Sequence, residues 1–299
     1  MSANVLLEMP EIGNWRGIFP AEARARAQAA LERGAVLYFP HLAFHPAGRE
    51  TEFLDSRLSD GKAKNISLDH TSGKLQGTSA GGEKAQRLAA MIERFGADAT
   101  HFVKALLPNY AGVERARTSY RPVEVEGRVY SVLQDDRLLH IDAFPSRPMQ
   151  NGRRILRFFS NIAPSRPEGG GARRWHVGEP FEDFAGHFAP RLKPHFPGKS
   201  WLWDKLGVTR GKRSAYDEMM LSLHDAAKRD ADYQKTAPHT ALEFPPGSSW
   251  LVYTDQVLHA ALGGEFALEQ TFHFDADQMG EPARAPIRVL ERVTGRRLG

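Results

Sequence analysis

The chain has 299 residues and no cysteine, with 40 basic side chains against 36 acidic ones for a net charge of +4. Hydrophobic residues make up 41 % of it, enough for a sizeable core and too many for a globally disordered chain. The lack of cysteine excludes disulfides, cysteine zinc sites, iron–sulfur clusters and thiol nucleophiles, so any metal must be held by histidine and carboxylate.

In chain order, the first residues carry Glu8 and Glu11 and lack the basic, apolar and small-residue succession of a signal peptide. No stretch is long and apolar enough to span a bilayer, and a cytoplasmic protein is expected. Residues 20–33 are alanine-rich, open on Pro20 and stop at Gly34, which predicts a helix. A short strand is predicted over 35–39, ended by Pro40, and an irregular, potentially functional loop over 41–82. Leu88, Ile92, Phe95, Ala99, Phe102 and Leu106 recur at helical spacing within 83–107, and Pro108 ends that helix. Beyond it the texture is β, with strands predicted over 129–133, 138–141, 154–162, 173–177, 249–253, 257–262 and 266–274. Helical insertions are predicted near 181–187 and 214–232, and Trp201 and Trp203 are read as core or interface aromatics. The expectation is one mainly β domain. A helical layer over 1–110 precedes a jelly-roll (double-stranded β-helix, cupin-like) core over 111–280. The core carries a helical insert near 180–235 and is followed by a basic tail over 281–299.

His140-Ile-Asp142 places two metal-ligating side chains two positions apart, and on an extended chain such residues face the same side. With 12 histidines and 16 aspartates, chance supplies about 0.6 such triplets per chain, so the triplet alone says little. The second one, His273-Phe-Asp275, has no histidine after it, and His273 is read as structural. The first is followed by His259, which lies on a predicted strand after a Phe-Pro-Pro-Gly turn and before Gly263-Gly264. Two imidazoles and a carboxylate with open positions form the facial triad of non-haem iron oxygenases. The same ligands suit a zinc hydrolase, and the bland alternative is three unrelated polar residues.

The pattern of His140, Asp142 and His259 resembles the 2-oxoglutarate-dependent dioxygenases. Leu-His-Ile-Asp-Ala-Phe-Pro-Ser-Arg-Pro over 139–148 and Gly-Arg-Arg-Ile-Leu-Arg-Phe-Phe-Ser-Asn-Ile-Ala-Pro over 152–164 look like the Kdo 3-hydroxylase family. Those enzymes act on 3-deoxy-D-manno-oct-2-ulosonic acid (Kdo), the sugar joining lipid A to the lipopolysaccharide core. The resemblance implies Fe(II), 2-oxoglutarate and dioxygen as reactants, with ascorbate supporting activity. It also implies hydroxylation of Kdo at C3 to give Ko, with release of succinate and CO2. The implied partner is Kdo–lipid A or a related precursor at the cytoplasmic face of the inner membrane. Alternatives are the same chemistry on another metabolite or lipid, and a non-catalytic jelly-roll module for acidic glycans. A basic stripe with interleaved aromatics is missing, so nucleic acid is not expected.

Many relatives anchor the distal carboxylate of 2-oxoglutarate with a basic residue about ten positions after the distal histidine, but Glu265 to Phe272 contains none. The strand after the His-x-Asp supplies Arg157 instead, with Asn161 or Gln270 in support and Arg154 as runner-up. Arg117, Ser119 and Arg121 precede the motif, and Arg173, Arg174 and Trp175 follow the triple glycine at 169–171. All six are candidate substrate contacts. In the tail, Arg284, Arg288, Arg292 and Arg296 recur every four residues. They form either a solvated helix face or a peripheral contact with anionic headgroups.

Overall fold

The computed structural model describes residues 5–110, 112–143, 149, 152–166, 170–192 and 213–298. In chain order the elements are β1 (Leu6–Glu8), α1 (Ala21–Glu32), β2 (Val36–Phe39), β3 (Ile66–Asp69), β4 (Lys74–Gln76), α2 (Gly82–Leu106) and β5 (Glu114–Arg121). Then follow β6 (Arg154–Asn161), β7 (Arg173–Gly178), α3 (Phe181–Phe188), α4 (Ala215–Arg229), α5 (Ala231–Thr236) and β8 (His239–Phe244). The chain closes with β9 (Ser249–Tyr253), β10 (His259–Gly263), β11 (Ala267–Phe274) and α6 (Pro286–Thr294). The strands form an eight-stranded sheet ordered β1-β2-β9-β6-β11-β5-β3-β4 and a three-stranded sheet ordered β10-β7-β8. Pairing is antiparallel except between β1 and β2. This is the expected jelly-roll with helices on one side.

Side-chain alternation decides what each sheet face meets. On β6, Leu156 and Phe158 turn to the helices, whereas Arg157 and Phe159 turn to the small sheet. Helix α2 lays its buried row, which includes Phe95, Ala99 and Phe102, on the outer face of the large sheet. There Phe102 meets Phe39 and Phe158 edge-on at ring-centroid distances of 5.2 and 5.3 Å. Helix α1 buries Ala23, Ala27 and Ala30, whose small side chains let it lie close to its neighbours, and Gly34 ends the turn at φ +86°, which a larger residue resists. Between the sheets, Trp250 stacks on Phe244 at 4.1 Å and on Phe159 at 5.1 Å, and Trp175 meets it edge-on at 5.7 Å. This second core fills part of the gap between the sheets, and the rest is a cavity.

Several predicted elements are corrected. Residues 129–131 are irregular rather than a strand, and Val132–Gln134 form one turn of 3-10 helix. Residues 138–141 contribute only one β-bridge, from His140 to His259. Strand β5 escaped because its Glu-Arg-Ala-Arg-Thr-Ser-Tyr-Arg sequence lacks apolar alternation: its inward residues face the cavity rather than a dry core. The β3–β4 hairpin is short and lies within the glycine-rich loop. The 214–232 helix is two helices, divided at Asp230, whose carboxylate accepts from Tyr233 N and starts the second one. The arginines of the tail, 284, 288, 292 and 296, are all exposed, in line with the solvated-face alternative, but they do not share one helix. Helix α6 carries only Arg288 and Arg292, and Arg284, Arg288 and Arg292 pair with Glu281, Glu291 and Glu182. The apolar side of α6, Ile287, Val289 and Leu290, is buried, and the helix packs on α3. Trp201, Trp203, Gly169 and the Phe-Pro-Ser-Arg-Pro part of the 139–148 motif lie outside the described residues.

Phe158 sits where α2, β2 and Trp15 converge and is fully buried. Phe158→Ala is expected to lower the unfolding free energy by about 3–5 kcal/mol in a denaturant titration. A loss under 1 kcal/mol would mean that this aromatic cluster does not hold the helices to the sheet.

Candidate metal centre

His140 and His259 face each other as an antiparallel pair: His140 N donates to His259 O at 3.0 Å, and His259 N donates to His140 O at 2.8 Å. Asp142 N donates to Thr254 O at 2.7 Å, which holds the third residue in line. The ligand atoms of His140, Asp142 and His259 lie within 4.8 Å of one another. Each imidazole is also turned by its own backbone. Nδ1 of His140 donates to the Leu138 carbonyl at 2.7 Å, and Nδ1 of His259 donates to the Val257 carbonyl at 2.8 Å. A carbonyl can only accept, so both protons sit on Nδ1 and both Nε2 lone pairs are free for a metal. Trp175 stacks on the His259 ring at 5.2 Å and 21°, fixing its plane.

The electrostatics suit a cation. Burial lowers the pKa of His140 well below its usual value, reinforced by His259 and Lys228, and burial likewise lowers that of His259. Both rings are therefore neutral near pH 7 and need lose no proton to bind metal. Burial opposes ionisation of Asp142, but the Arg157 guanidinium beside it outweighs this and holds the carboxyl below the usual range. Two neutral nitrogens and one carboxylate oxygen match Fe(II) and leave coordination positions for a bidentate ligand and dioxygen.

The triad lies in a cavity of about 620 Å³ between the sheets, closed on one side by Leu221, His224, Asp225 and Lys228 of α4. Six lysines and arginines line it against four carboxylates. Most are matched. Arg157 reaches Asp142 Oδ2 at 3.0 Å and Glu269 Oε1 at 3.2 Å, and Arg121 donates to Glu269 Oε2 at 2.9 Å. Lys64 pairs with Asp136, and Lys228 lies 3.9 Å from the same carboxylate. Arg173 is different. It is 1 % exposed, its Nη1 donates to the Gly264 carbonyl at 2.6 Å, and its Nε has no partner. Burial, and then the like charge of Arg121, pull its pKa down to about 9. Arg117 is the second unmatched cation, with its Nε buried and unpartnered.

Of the residues singled out in the sequence, Arg157, Arg117, Ser119, Arg121, Arg173 and Trp175 line the cavity. Arg154 does not: strand alternation turns it to the helical side, where Asp255 takes it at 2.8 and 3.1 Å and the Tyr253 ring lies beneath it. Asn161 faces inward but lies beyond the cavity, donating to Gly171 O and Phe244 O. Gln270 is on the opposite face of β11, bonded to Thr118 and Arg115. Arg174 points outward and pairs with Glu126 at 2.5 Å. His273, read as structural, bonds Arg154 O through Nδ1 at 3.3 Å and also lines the cavity. Glu269 and Phe159 were missed, although alternation from Gln270 and Phe158 would have placed both inward. Asp136, Lys64 and Lys228 carried no sequence signal, being brought in by loops and by α4.

A histidine pair and a carboxylate at one side of a jelly-roll cavity define a non-haem iron oxygenase of the 2-oxoglutarate-dependent class. Over residues 14–297 the chain matches the family of 3-deoxy-D-manno-oct-2-ulosonic acid (Kdo) hydroxylases, and it belongs to that family. It is similar to the apo structure of the Kdo hydroxylase KdoO, a non-haem Fe(II) α-ketoglutarate-dependent dioxygenase. Identity is 42 %, 98 % of this chain and 97 % of that one are covered, and the TM-score is 0.91. The KdoO complex with α-ketoglutarate and Fe(III) gives 41 % identity, the same 98 % and 97 % coverage, and a TM-score of 0.91. The cobalt(II) complex gives 42 % identity over 98 % and 97 % of the two chains, with a TM-score of 0.92. No curated protein matches the chain.

His140→Ala, Asp142→Ala and His259→Ala should each remove the single Fe(II) or Co(II) binding event in a calorimetric titration, with far-ultraviolet circular dichroism unchanged. A variant that keeps wild-type metal affinity would not be missing a ligand.

Proposed function

We propose that this protein is a Kdo hydroxylase. It would use Fe(II) held by His140, Asp142 and His259, with 2-oxoglutarate and dioxygen, to hydroxylate C3 of Kdo in a Kdo–lipid A acceptor, giving Ko, succinate and CO2. The observation that carries the reading is the triad with both Nδ1 atoms bonded to backbone carbonyls, set in a cavity with a buried arginine that no carboxylate of the described residues pairs with.

When bound, iron and 2-oxoglutarate together activate dioxygen, with one oxygen atom ending in succinate as carbon dioxide leaves and the other in a sugar C–H bond. The chain orients and shields. The carbonyls of Leu138 and Val257 and the ring of Trp175 hold the imidazoles in place. Arg157 keeps Asp142 ionised and, through Glu269, ties that carboxylate to Arg121 on the neighbouring strand. Phe159, Trp175 and Leu221 are apolar walls that limit water.

Arg173 is the best anchor for the distal carboxylate of 2-oxoglutarate. A buried guanidinium without an acid is unfavourable until an anion arrives, and a carboxylate matches its donors two at a time. Arg157 faces the same cavity, but its charge is already satisfied by Asp142 and Glu269. Gly264 makes the place for Arg173: its φ of +103° favours glycine, and a Cβ there would fall 2.6 Å from Arg173 Cδ. On this reading the protein works at the cytoplasmic face of the membrane that holds such an acceptor. No described helix is long and apolar enough to cross a membrane.

Incubation of Kdo–lipid A with protein, Fe(II), 2-oxoglutarate, ascorbate and air should add one oxygen to the Kdo by mass spectrometry. The gain should be absent without 2-oxoglutarate or in His140→Ala. Succinate formed with no oxidised sugar would keep the chemistry and discard this acceptor. Arg173→Ala should raise the 2-oxoglutarate KM by about tenfold to a hundredfold. The same rise in Arg157→Ala, with none in Arg173→Ala, would return the anchor to Arg157.

A further inference from the structure

We infer that Arg117 is the residue that receives the carboxylate of the sugar-acid acceptor, separately from the 2-oxoglutarate anchor. The inference rests on the reading of the acceptor as a Kdo sugar, which is by name an acid.

Two guanidiniums in the cavity lack an acid partner among the described residues, Arg173 and Arg117. Every other cation lining the cavity faces Asp136, Asp142 or Glu269. The carboxylate whose charge feels Arg117, Asp69, is turned into its own loop, where it accepts from the backbone N and the hydroxyl of Ser72, both at 3.1 Å. Arg117 is half-buried, and its Nε is buried and makes no hydrogen bond among the described residues, so a polar donor inside the cavity is left for a ligand.

The two unmatched cations enter the cavity from different levels of the fold. On β5, Arg117 and Arg121 share the inward face, four residues apart, which is about 13 Å along the strand. Arg173 lies by the Arg121 end, where the two like charges repel. Arg117 lies at the other level: Thr271 of β11 pairs with Arg157, and the neighbouring register sets Gln270 opposite Thr118 and Phe272 opposite Arg115. Arg117 is therefore level with Arg157, the residue that holds metal ligand Asp142. An extended 2-oxoglutarate, with four carbon–carbon bonds, spans only about 5–6 Å. With Arg173 taking the distal carboxylate of 2-oxoglutarate, Arg117 is left for a second anion. The reaction supplies one, the carboxylate of the sugar whose C–H bond must lie beside the metal. Arg117 thereby sets which part of the sugar faces the triad, and it selects acidic sugars over neutral ones.

The test compares a Kdo glycoside with its carboxamide analogue in Fe(II)- and 2-oxoglutarate-dependent turnover by wild type, Arg117→Ala and Arg117→Lys. Wild type should prefer the acid by about tenfold to a hundredfold in kcat/KM. Arg117→Ala should lose that preference, and Arg117→Lys should restore part of it. The affinity of the Co(II)-loaded variant for 2-oxoglutarate, titrated by calorimetry, should stay within about twofold of wild type, a result a general structural fault would not give. An Arg117→Ala protein that keeps the full preference for the acid overturns the inference and leaves the hydroxylase reading standing. So does one whose 2-oxoglutarate affinity collapses. Wild-type protein that oxidises neither glycoside but still converts 2-oxoglutarate to succinate overturns the sugar reading, and this inference falls with it.

Discussion

The hydrogen-bond exchange between His140 and His259 is the constraint on which the rest depends. It joins two residues 119 positions apart (259 − 140) through their own backbones, N to O in both directions. Side chains on directly opposed antiparallel residues stand on the same face, so the exchange that closes the small sheet also brings two imidazoles together, with ring centroids 4.6 Å apart. Asp142 follows at the next residue on that face. The Nδ1 contacts to Leu138 and Val257 are of the same local kind, each ring bonding the carbonyl two residues before it. The site is thus assembled by main chain first, which explains how a metal centre can be precise where no regular strand surrounds His140.

Charge matching organises what lies around it. Buried cations are tolerated where a carboxylate meets them, and the cavity shows this in the chain from Asp142 through Arg157 and Glu269 to Arg121. That chain fixes the metal-side carboxylate and stiffens three adjacent strands at once. The arginines outside it, 173 and 117, are the places where the protein is electrostatically incomplete on its own. An enzyme that must hold two acids near a metal needs such unfinished positions, and these two come from different sheets, Arg117 from β5 and Arg173 from β7.

Much of the fold and the metal site was legible in the sequence, for identifiable reasons. Long periodic or strongly apolar segments such as α2, β6, β9 and β11 were found because their pattern reflects burial on one or both faces. Strand β5 was not, because its inward side chains, Arg117, Ser119 and Arg121, face a wet cavity, and polar inward residues erase the alternation that marks a strand. His140 and Asp142 were found through spacing and His259 through its turn and strand context. The choice between Arg157 and Arg154 followed from strand parity, and Arg157 indeed lines the cavity while Arg154 is buried with Asp255. Which arginine is already matched could not be read, since that depends on Glu269 and Asp142, which come from two other segments of the chain. In the tail, spacing by four does not show that α6 ends at Thr294, nor that Arg292 meets Glu182 of α3 at the surface.

The central claim is that one cavity holds both acids at one metal, so that oxidation of 2-oxoglutarate and of the sugar are halves of one event. Turnover of Kdo–lipid A under isotopically labelled dioxygen tests this most directly, with both products read by mass spectrometry. The account predicts one labelled oxygen in the hydroxylated Kdo and one in succinate, formed in equal amounts. Labelled succinate with an unlabelled hydroxyl on the sugar, or hydroxylation that proceeds without succinate, would contradict it.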